Sequence, residues 1–158
     1  MLRSLLLSLC FATLSAFASA EVGEKIILTV TGKPATNAVQ LTDAALSKLP
    51  QKSMTLQTPW YPVPKKFEGP LLRDVLKLAG ISSGNIRLVA LNDYTISIPV
   101  SDAYQYDVIV ARLLDGKPMS VREKGPLFIV YPFHEHEELR KTDYYRRCSW
   151  QLRSIAAE

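Results

Sequence analysis

Short apolar runs separated by glycine and proline dominate the chain after residue 20, and they predict a domain built mostly of strands. The run from Lys25 to Val30 predicts a first strand, because β-branched residues pack well on a pleated sheet surface. Two alternating segments, 85–91 and 94–98, predict a hairpin that turns at Asn92 and Asp93. Further strands are predicted at 53–58, at 108–111 as a buried central strand, at 127–131 and at 150–155.

Two short helices are indicated by the residues at their ends. Thr42 is a favoured N-cap residue, and the helix that follows it must stop before Pro50. Pro70 and Gly80 bracket residues 71–79, in which apolar side chains recur on one helical face.

No such pattern appears in the polar segment 133–147, which is predicted to be a long loop. The elements together predict an α+β fold with a mostly mixed β-sheet and short helices.

Residues 1–20 have the organisation of a cleaved secretory signal peptide. Arg3 precedes an uncharged apolar run over 5–17, and the small residues of 18–20 provide an A-x-A cleavage site. The run is shorter than the roughly 20 residues that span a bilayer. Cys10 lies inside the run rather than after a small residue at its end. We therefore expect a periplasmic protein without a lipid anchor.

The remaining segment, 21–158, is long enough for one domain with a single core. The whole chain has 19 Lys and Arg against 15 Asp and Glu, and the basic residues near its C-terminus alternate with acidic ones. No basic stripe follows a surface, so the pattern excludes nucleic-acid binding. Cys148 is the only cysteine of this segment, and we expect its thiol to be buried and chemically silent.

Familiar catalytic motifs are absent from the sequence, including G-x-S-x-G, H-E-x-x-H and a phosphate-binding glycine loop. His134 and His136 have the spacing that places two imidazoles on one face of a strand, and with Cys148 they are candidate ligands for copper or zinc. Nothing fixes a third ligand in this acidic segment. A solvated histidine pair is therefore the preferred interpretation.

Aromatic residues at loop and strand ends are the more informative candidates. Trp60 and Tyr61 lie in segment 59–64, which three prolines stiffen. Other rings at such positions are Tyr131, Tyr144, Tyr145 and Trp150. Rings held in this way form a slot for a flat heterocycle, and the alternative for both tryptophans is a place in the core.

Five segments in order resemble the molybdopterin-binding domain of the sulfite oxidase type. They are FEGPLLRDVLKLAG, LNDYTISIP, DVIVARLLDGKPMS, KGPLFIVYP and WQLRSI. The resemblance covers nearly all of the chain after residue 20, and it implies a fold built to hold a pterin.

Three departures from the family pattern bear on function. The enzymes of the family bind molybdenum through a cysteine at the end of the strand before the helix, and residues 54–58 contain none. An apolar residue near Phe128 replaces a family arginine, and Ser149 replaces a lysine before the closing tryptophan. We therefore expect a pterin without molybdenum.

In these respects the chain is similar to small periplasmic pterin-binding response proteins (PruR type). That resemblance implies a non-enzymatic protein that binds a reduced monapterin- or biopterin-like pterin. Its partner would be the periplasmic region of an inner-membrane protein that makes or degrades cyclic di-GMP. The alternative is a small molybdopterin-dependent oxidoreductase or its electron-transfer subunit.

A pterin needs an aromatic ring to stack on, an acceptor for its amino edge and a donor for its oxo group. Trp60, Tyr61 and Tyr131 are candidates for the first role. The carboxylates of Glu68, Asp93 and Glu123 are candidates for the second. Arg122 and Arg147 are candidates for the third. The sequence does not choose among these residues.

Overall fold

The structure is a computed structural model of the chain, and it describes residues 24–35 and 38–158. The predicted signal peptide, 1–20, lies outside the described residues. Within the described part, eleven strands alternate with short helices. The strands are β1 (Ile26–Thr31), β2 (Ala38–Thr42), β3 (Gln51–Leu56), β4 (Lys65–Pro70), β5 (Asn85–Ala90), β6 (Thr95–Pro99), β7 (Ile109–Ala111), β8 (Leu113–Leu114), β9 (Lys117–Pro118), β10 (Phe128–Val130) and β11 (Leu152–Ala157).

The helices are all short. They are α1 (Asp43–Ser47), α2 (Leu72–Leu78), α3 (Ser101–Gln105) and α4 (Thr142–Arg147), with 3-10 turns at Val121–Glu123 and Glu137–Leu139. Among the residues that the structure describes, no helix has the length and apolar character needed to cross a membrane.

The strands form three sheets. The largest has the order β2-β1-β11-β5-β6, in which β1 and β11 are parallel and the other neighbours antiparallel. A four-stranded antiparallel sheet has the order β3-β4-β8-β9, and β7 pairs with β10 alone. This mixed arrangement with few short helices confirms the predicted α+β class.

One hydrophobic core joins the three sheets. Leu28 of β1, Phe67 of β4 and Phe128 of β10 are fully buried members of it. The close approach of β4 to β7 depends on Gly69, because a Cβ atom there would lie 2.0 Å from the Val110 carbonyl oxygen. The backbones of the two strands therefore pack directly against each other.

The elements with clear terminal signals were predicted correctly. The Thr42 hydroxyl accepts a hydrogen bond from the Ala45 backbone N–H at 3.1 Å and caps α1. Helix α2 begins after Leu71 and ends before Gly80, which has a φ of +69°. Strands β5 and β6 form the expected antiparallel hairpin.

One prediction about elements was wrong. The predicted loop 133–147 contains the 3-10 turn at 137–139 and helix α4, which tertiary contacts rather than an apolar stripe hold in place. The predicted buried strand at 108–111 corresponds to β7, which pairs with β10 on one side and is bridged by Leu71, just after β4, on the other. Four further strands, β2, β4, β8 and β9, and helix α3 were not predicted.

Candidate functional site

An aromatic cleft with a volume of about 290 Å³ lies where three segments meet. One is the loop between β3 and β4, another is the turn between β5 and β6, and the third runs from α4 to the start of β11. The lining residues are mostly aromatic or polar: Trp60, Asn92, Tyr94, Thr142, Tyr145, Arg146, Cys148 and Trp150.

Trp60 occupies the centre of the aromatic wall. Its ring centroid lies 5.8 Å from that of Trp150 and 6.1 Å from that of Tyr145, and both rings stand nearly perpendicular to it. Beneath it, the core residue Phe128 is 5.3 Å away. Edge-to-face contacts of this kind stabilise a fixed arrangement of rings. The cleft therefore has rigid apolar walls.

The loop that carries Trp60 is closed by its own polar groups. The side-chain amide of Gln57 donates hydrogen bonds to the carbonyl oxygens of Tyr61, at 2.7 Å, and Thr58, at 3.1 Å. Prolines at 59, 62 and 64 restrict the backbone further. The position of the indole thus follows from a sequence that favours one loop conformation.

The β5–β6 turn supplies the polar wall. Asp93 has a φ of +64°, and the Asn92 side-chain oxygen accepts a hydrogen bond from the Tyr94 backbone N–H at 3.1 Å. The Tyr94 hydroxyl then donates to the carbonyl oxygen of Arg146 at 3.1 Å. This bond fastens the turn to α4 across the cleft.

Helix α4 is anchored on its other side by a buried carboxylate. Asp102 of α3 accepts hydrogen bonds from the guanidinium of Arg147 at 2.6 Å and from the hydroxyl of Tyr131 at 2.7 Å. The Arg147 guanidinium also lies 4.5 Å above the ring centroid of Tyr144. Burial and then the neighbouring carboxylate raise the pKa of Tyr131 well above its ordinary value.

Cys148 lines the cleft but is 3% exposed. Its thiol donates a weak hydrogen bond to the Tyr144 carbonyl oxygen at 3.5 Å, and burial raises the pKa of the thiol far above the ordinary value. The predicted burial of this residue is confirmed. The group stays protonated at neutral pH, because a thiolate in this apolar site would be poorly solvated.

Two buried hydroxyl groups belong to residues that are close in the chain to residues lining the cleft. Thr58 Oγ1 and Ser149 Oγ have no hydrogen-bond partner within the described chain. Ser149 is the position at which the resembling enzymes have a lysine. A neutral hydroxyl there cannot provide the charge that a phosphate group favours.

One of the eight residues predicted to bind ligand, Trp60, lines the cleft. Tyr61 is half-buried beside it, and its hydroxyl donates to the Glu123 carbonyl oxygen at 3.4 Å. Glu68 lies on β4, where it pairs with Lys66 at 3.2 Å. These two side chains are not among the lining residues.

Asp93 lies in the turn that forms the polar wall, but its exposed carboxylate pairs with Arg153 at 2.6 Å. Arg122 and Glu123 are exposed in the 3-10 turn 121–123, where the Glu123 carboxylate forms a capping box with Ser120.

The last two candidates serve the core. Tyr131 is fully buried, and Arg147 is bound to Asp102. The structure therefore brings Asp93 near the cleft, and it uses Tyr131 and Arg147 to support one of its walls.

The histidine pair is not assembled into a metal centre in the described part of the chain. His134 lies 3.3 Å from Glu135, and the His136 ring packs edge-on to Tyr106 with centroids 5.0 Å apart. No group of three or more His, Cys, Asp or Glu side chains suited to a metal ion occurs among residues 24–35 and 38–158.

Sequence reasoning missed four of the polar residues that line the cleft. They are Asn92, Tyr94, Thr142 and Arg146. No local pattern marks them, because their segments lie about 50 residues apart and meet only through the fold. The one local signal for this part of the cleft was the pair of tyrosines at 144–145, which two arginines follow.

A family model described as the oxidoreductase molybdopterin-binding domain matches residues 44–136. This match spans more than half of the 158 residues, so the chain belongs to the oxidoreductase molybdopterin-binding domain family. No curated protein matches the chain. The matched range includes Trp60, Asn92 and Tyr94, and it ends before α4 contributes the rest of the cleft.

Proposed function

We propose that the protein binds a pterin in the aromatic cleft and acts as a non-enzymatic periplasmic regulator. The observation that carries this proposal is a cleft walled by Trp60, Trp150, Tyr145 and Tyr94 in a domain of the molybdopterin-binding family. Flat heterocycles bind well between fixed aromatic side chains, because large apolar surfaces leave water without a cost in protein ordering.

The polar side chains of the cleft supply the hydrogen bonds that a pterin requires. The Asn92 amide offers both donor and acceptor atoms, and the Thr142 hydroxyl offers the same pair of functions. The proposed acceptor is thus a neutral amide or hydroxyl rather than a carboxylate. This choice suits a neutral pterin edge, because an unpaired carboxylate would be costly to desolvate.

The donor set of the cleft suits a pterin without molybdenum. In the enzymes that the chain resembles the protein ligand of molybdenum is a cysteine, and here the Cys148 thiol is buried, protonated and hydrogen-bonded to a backbone carbonyl. No cysteine lies at 54–58, where the resembling enzymes bind the metal. These features support the ligand-binding role over a molybdenum enzyme.

We place the protein in the periplasm, where it would act on an inner-membrane protein that makes or degrades cyclic di-GMP. The support is the signal-peptide pattern of 1–20 and the resemblance to pterin-binding response proteins. The bound ligand is expected to be a reduced monapterin- or biopterin-like pterin.

A small molybdopterin-dependent oxidoreductase, or its electron-transfer subunit, is the second candidate function. The family match favours it, because the matched domain is described as that of an oxidoreductase. An enzyme of this kind would need a protein ligand for molybdenum, and the cysteine that lines the cleft is a protonated thiol.

One preparation distinguishes the two candidates. The protein is purified from the periplasm and denatured, and the released material is assayed for pterin fluorescence and for molybdenum. We expect a pterin and no stoichiometric molybdenum. Stoichiometric molybdenum, together with turnover in a dye-linked reductase assay, would establish the enzyme instead.

The regulatory role needs its own experiment. Cyclic di-GMP is measured in cells that lack the protein and in the same cells complemented with wild type or with Trp60→Ala. We expect wild type to restore the original level and the variant to fail at equal abundance. If wild type and Trp60→Ala restored the cyclic di-GMP level equally, the signalling role would not depend on the aromatic cleft.

A further inference from the structure

A second concave surface, the apolar groove, lies between the start of β1, the end of β5 and the segment 119–126. It has a volume of about 330 Å³, and most of its lining is apolar. Three of its aliphatic side chains are open to solvent: Ile26 is 42% exposed, Leu91 45% and Val121 52%. Single exposed apolar residues are common on protein surfaces, whereas several that surround one groove mark an interaction surface.

Gln151 holds the walls of the groove together. Its backbone N–H donates to the Lys124 carbonyl oxygen at 2.9 Å, and its carbonyl oxygen accepts the Leu91 backbone N–H at 2.8 Å. Its side-chain amide donates to the Val121 carbonyl oxygen at 2.9 Å. One residue thus fixes the backbone at two of the three exposed aliphatic positions. A partner that binds this preformed surface does not have to order it first.

The exposed aliphatic residues favour a macromolecular partner over a small ligand. A small ligand is held by buried walls and by a few polar groups that fix its orientation. Here Ile26 and Val121 are about half exposed, and the Ser120 hydroxyl is engaged in a capping box with Glu123. A concave groove also suits a protein better than a lipid surface, because an inserted side chain can fill it.

The charges around the groove are positive, and they indicate the chemistry of the partner. Lys25 and Arg153 line the groove, and none of its described lining residues is acidic. Arg153 is paired with Asp93, whereas Lys25 forms no ion pair within residues 24–35 and 38–158. The Glu24 carboxylate, next to Lys25 in the chain, accepts a hydrogen bond from the Thr42 hydroxyl at 2.8 Å. A segment that carries aliphatic and acidic side chains would therefore complement the groove.

We propose that the apolar groove docks such an aliphatic and acidic segment of the membrane partner's periplasmic region. Aliphatic side chains of the segment enter the groove beside Leu91 and Val121, and its carboxylates face Lys25. Leu91 is followed directly by Asn92, which lines the aromatic cleft, so the docked partner lies beside the proposed pterin site. This inference rests on the proposed regulatory function.

Site-specific cross-linking in living cells tests where the partner binds. The photo-cross-linking amino acid p-benzoylphenylalanine replaces Leu91 in one strain and Leu78 of α2 in another. Leu78 is the matched control position, because it is 44% exposed and lies outside the groove. Cross-linked products are identified by mass spectrometry. We expect position 91, and not position 78, to cross-link an aliphatic and acidic segment of an inner-membrane protein that makes or degrades cyclic di-GMP.

Variants assign the cross-link to the groove. Val121→Glu and Lys25→Glu place a negative charge against the proposed acidic segment, and each should reduce the product from position 91 at least about tenfold. Leu78→Glu adds the same charge at an exposed leucine outside the groove and should leave the yield unchanged. All three variants should keep the melting temperature and the pterin content of wild type, because none of these residues lines the aromatic cleft.

Several outcomes would overturn the inference. Cross-linking of the signalling protein from position 78 alone, or a yield that both groove variants leave unchanged, would place the partner elsewhere. A product that contains only phospholipid would make the groove a membrane contact, and a cross-linked segment without acidic residues would refute the charge argument.

The same samples separate this inference from the proposed function. Pterin in the wild-type protein with no cross-linked protein from position 91 would refute docking in the groove and leave pterin binding in place. The expected cross-link from a wild-type protein that releases no pterin would support the docking surface and refute the proposed ligand.

Discussion

The carboxylate of Asp102 and the guanidinium of Arg147 form a hydrogen-bonded ion pair at 2.6 Å that joins α3 to α4. The aspartate side chain is 6% exposed, and the Tyr131 hydroxyl donates a second hydrogen bond to the same carboxylate oxygen. Because α4 presents Thr142, Tyr145 and Arg146 to the aromatic cleft, this pair fixes the position of one wall.

Removing the carboxylate should therefore affect both stability and binding. Asp102→Ala leaves a buried hydroxyl and a partly buried guanidinium without their partner. Truncating one member of a buried pair typically costs about 3–5 kcal/mol. We expect a loss of that order in the free energy of unfolding, measured by urea denaturation, and weaker pterin binding at a urea concentration far below the transition.

Asp102→Asn is the informative companion variant. It keeps an acceptor for Tyr131 and removes the charge that faces Arg147, so its loss should be smaller than that of the alanine variant. If the alanine variant lost less than about 1 kcal/mol, the pair would contribute no more than an exposed ion pair does.

A thiol reagent tests the state of Cys148. Burial raises the pKa of this thiol, so the native protein should react slowly at neutral pH and react fully only after denaturation. Cys148→Ser should cost about 1 kcal/mol or somewhat more in stability, because it places a hydroxyl in an apolar site. Pterin affinity should stay within a few-fold of wild type. Rapid labelling of the native protein would show that the thiol is accessible and reactive.

Asp107 gives the fold a defined response to acid. Its carboxylate accepts hydrogen bonds from Lys52 and Arg73, and these bonds hold its pKa below the ordinary value. A carboxyl group with a lowered pKa stabilises the native state above its unfolded-state pKa, near 3.9, and loses that contribution as the pH falls through its folded-state pKa. Because the side chain is 35% exposed, solvent screens the interaction and the contribution is modest.

The measurement compares wild type with Asp107→Asn by urea denaturation between pH 6 and pH 2. Wild type should be the more stable protein above about pH 4, and the difference should shrink below that value. A difference that stays constant across this range would show that the carboxylate has the same pKa in the folded and unfolded chains.

The parts of the fold that sequence could predict are those with local signals. The cap at Thr42 and the proline and glycine around α2 identify their helices within two residues. Helix α4 has no fully buried residue and no apolar stripe, so tertiary contacts hold it in place: its polar bonds to Asp102 and Tyr94 and the packing of Tyr144 and Tyr145 against the core. Strand β4 was missed because its sequence, KKFEGP, begins with two lysines and ends in proline.

The candidate site divides in the same way. The place of Trp60 in the site could be predicted, because the three prolines around it indicate a stiff loop that exposes its side chains to a ligand. Arg146 and Arg147 are equivalent in sequence, and their different roles depend on which of them meets the buried Asp102. The packing of α4 against α3 determines which arginine pairs with Asp102, and no local sequence pattern predicts that packing.

The two adjacent aromatics of the β3–β4 loop allow a direct test of the cleft. Trp60 lines it, whereas Tyr61 lies outside its lining and packs near Phe67 with ring centroids 6.1 Å apart. Trp60→Ala should weaken pterin binding by about 1–3 kcal/mol, the range observed when an aromatic ring is removed from beneath a nucleic-acid base. Calorimetric titration measures this change directly.

Tyr61→Ala is the matched control, because it removes a half-buried ring from the same loop without altering the cleft wall. It should lower stability and leave the affinity nearly unchanged. Trp60→Ala should cost less than the roughly 3–5 kcal/mol of a core tryptophan, because one face of the indole borders the cleft rather than the interior. A large fall in melting temperature with unchanged affinity would instead make Trp60 a core residue, and the pterin would then have to bind elsewhere.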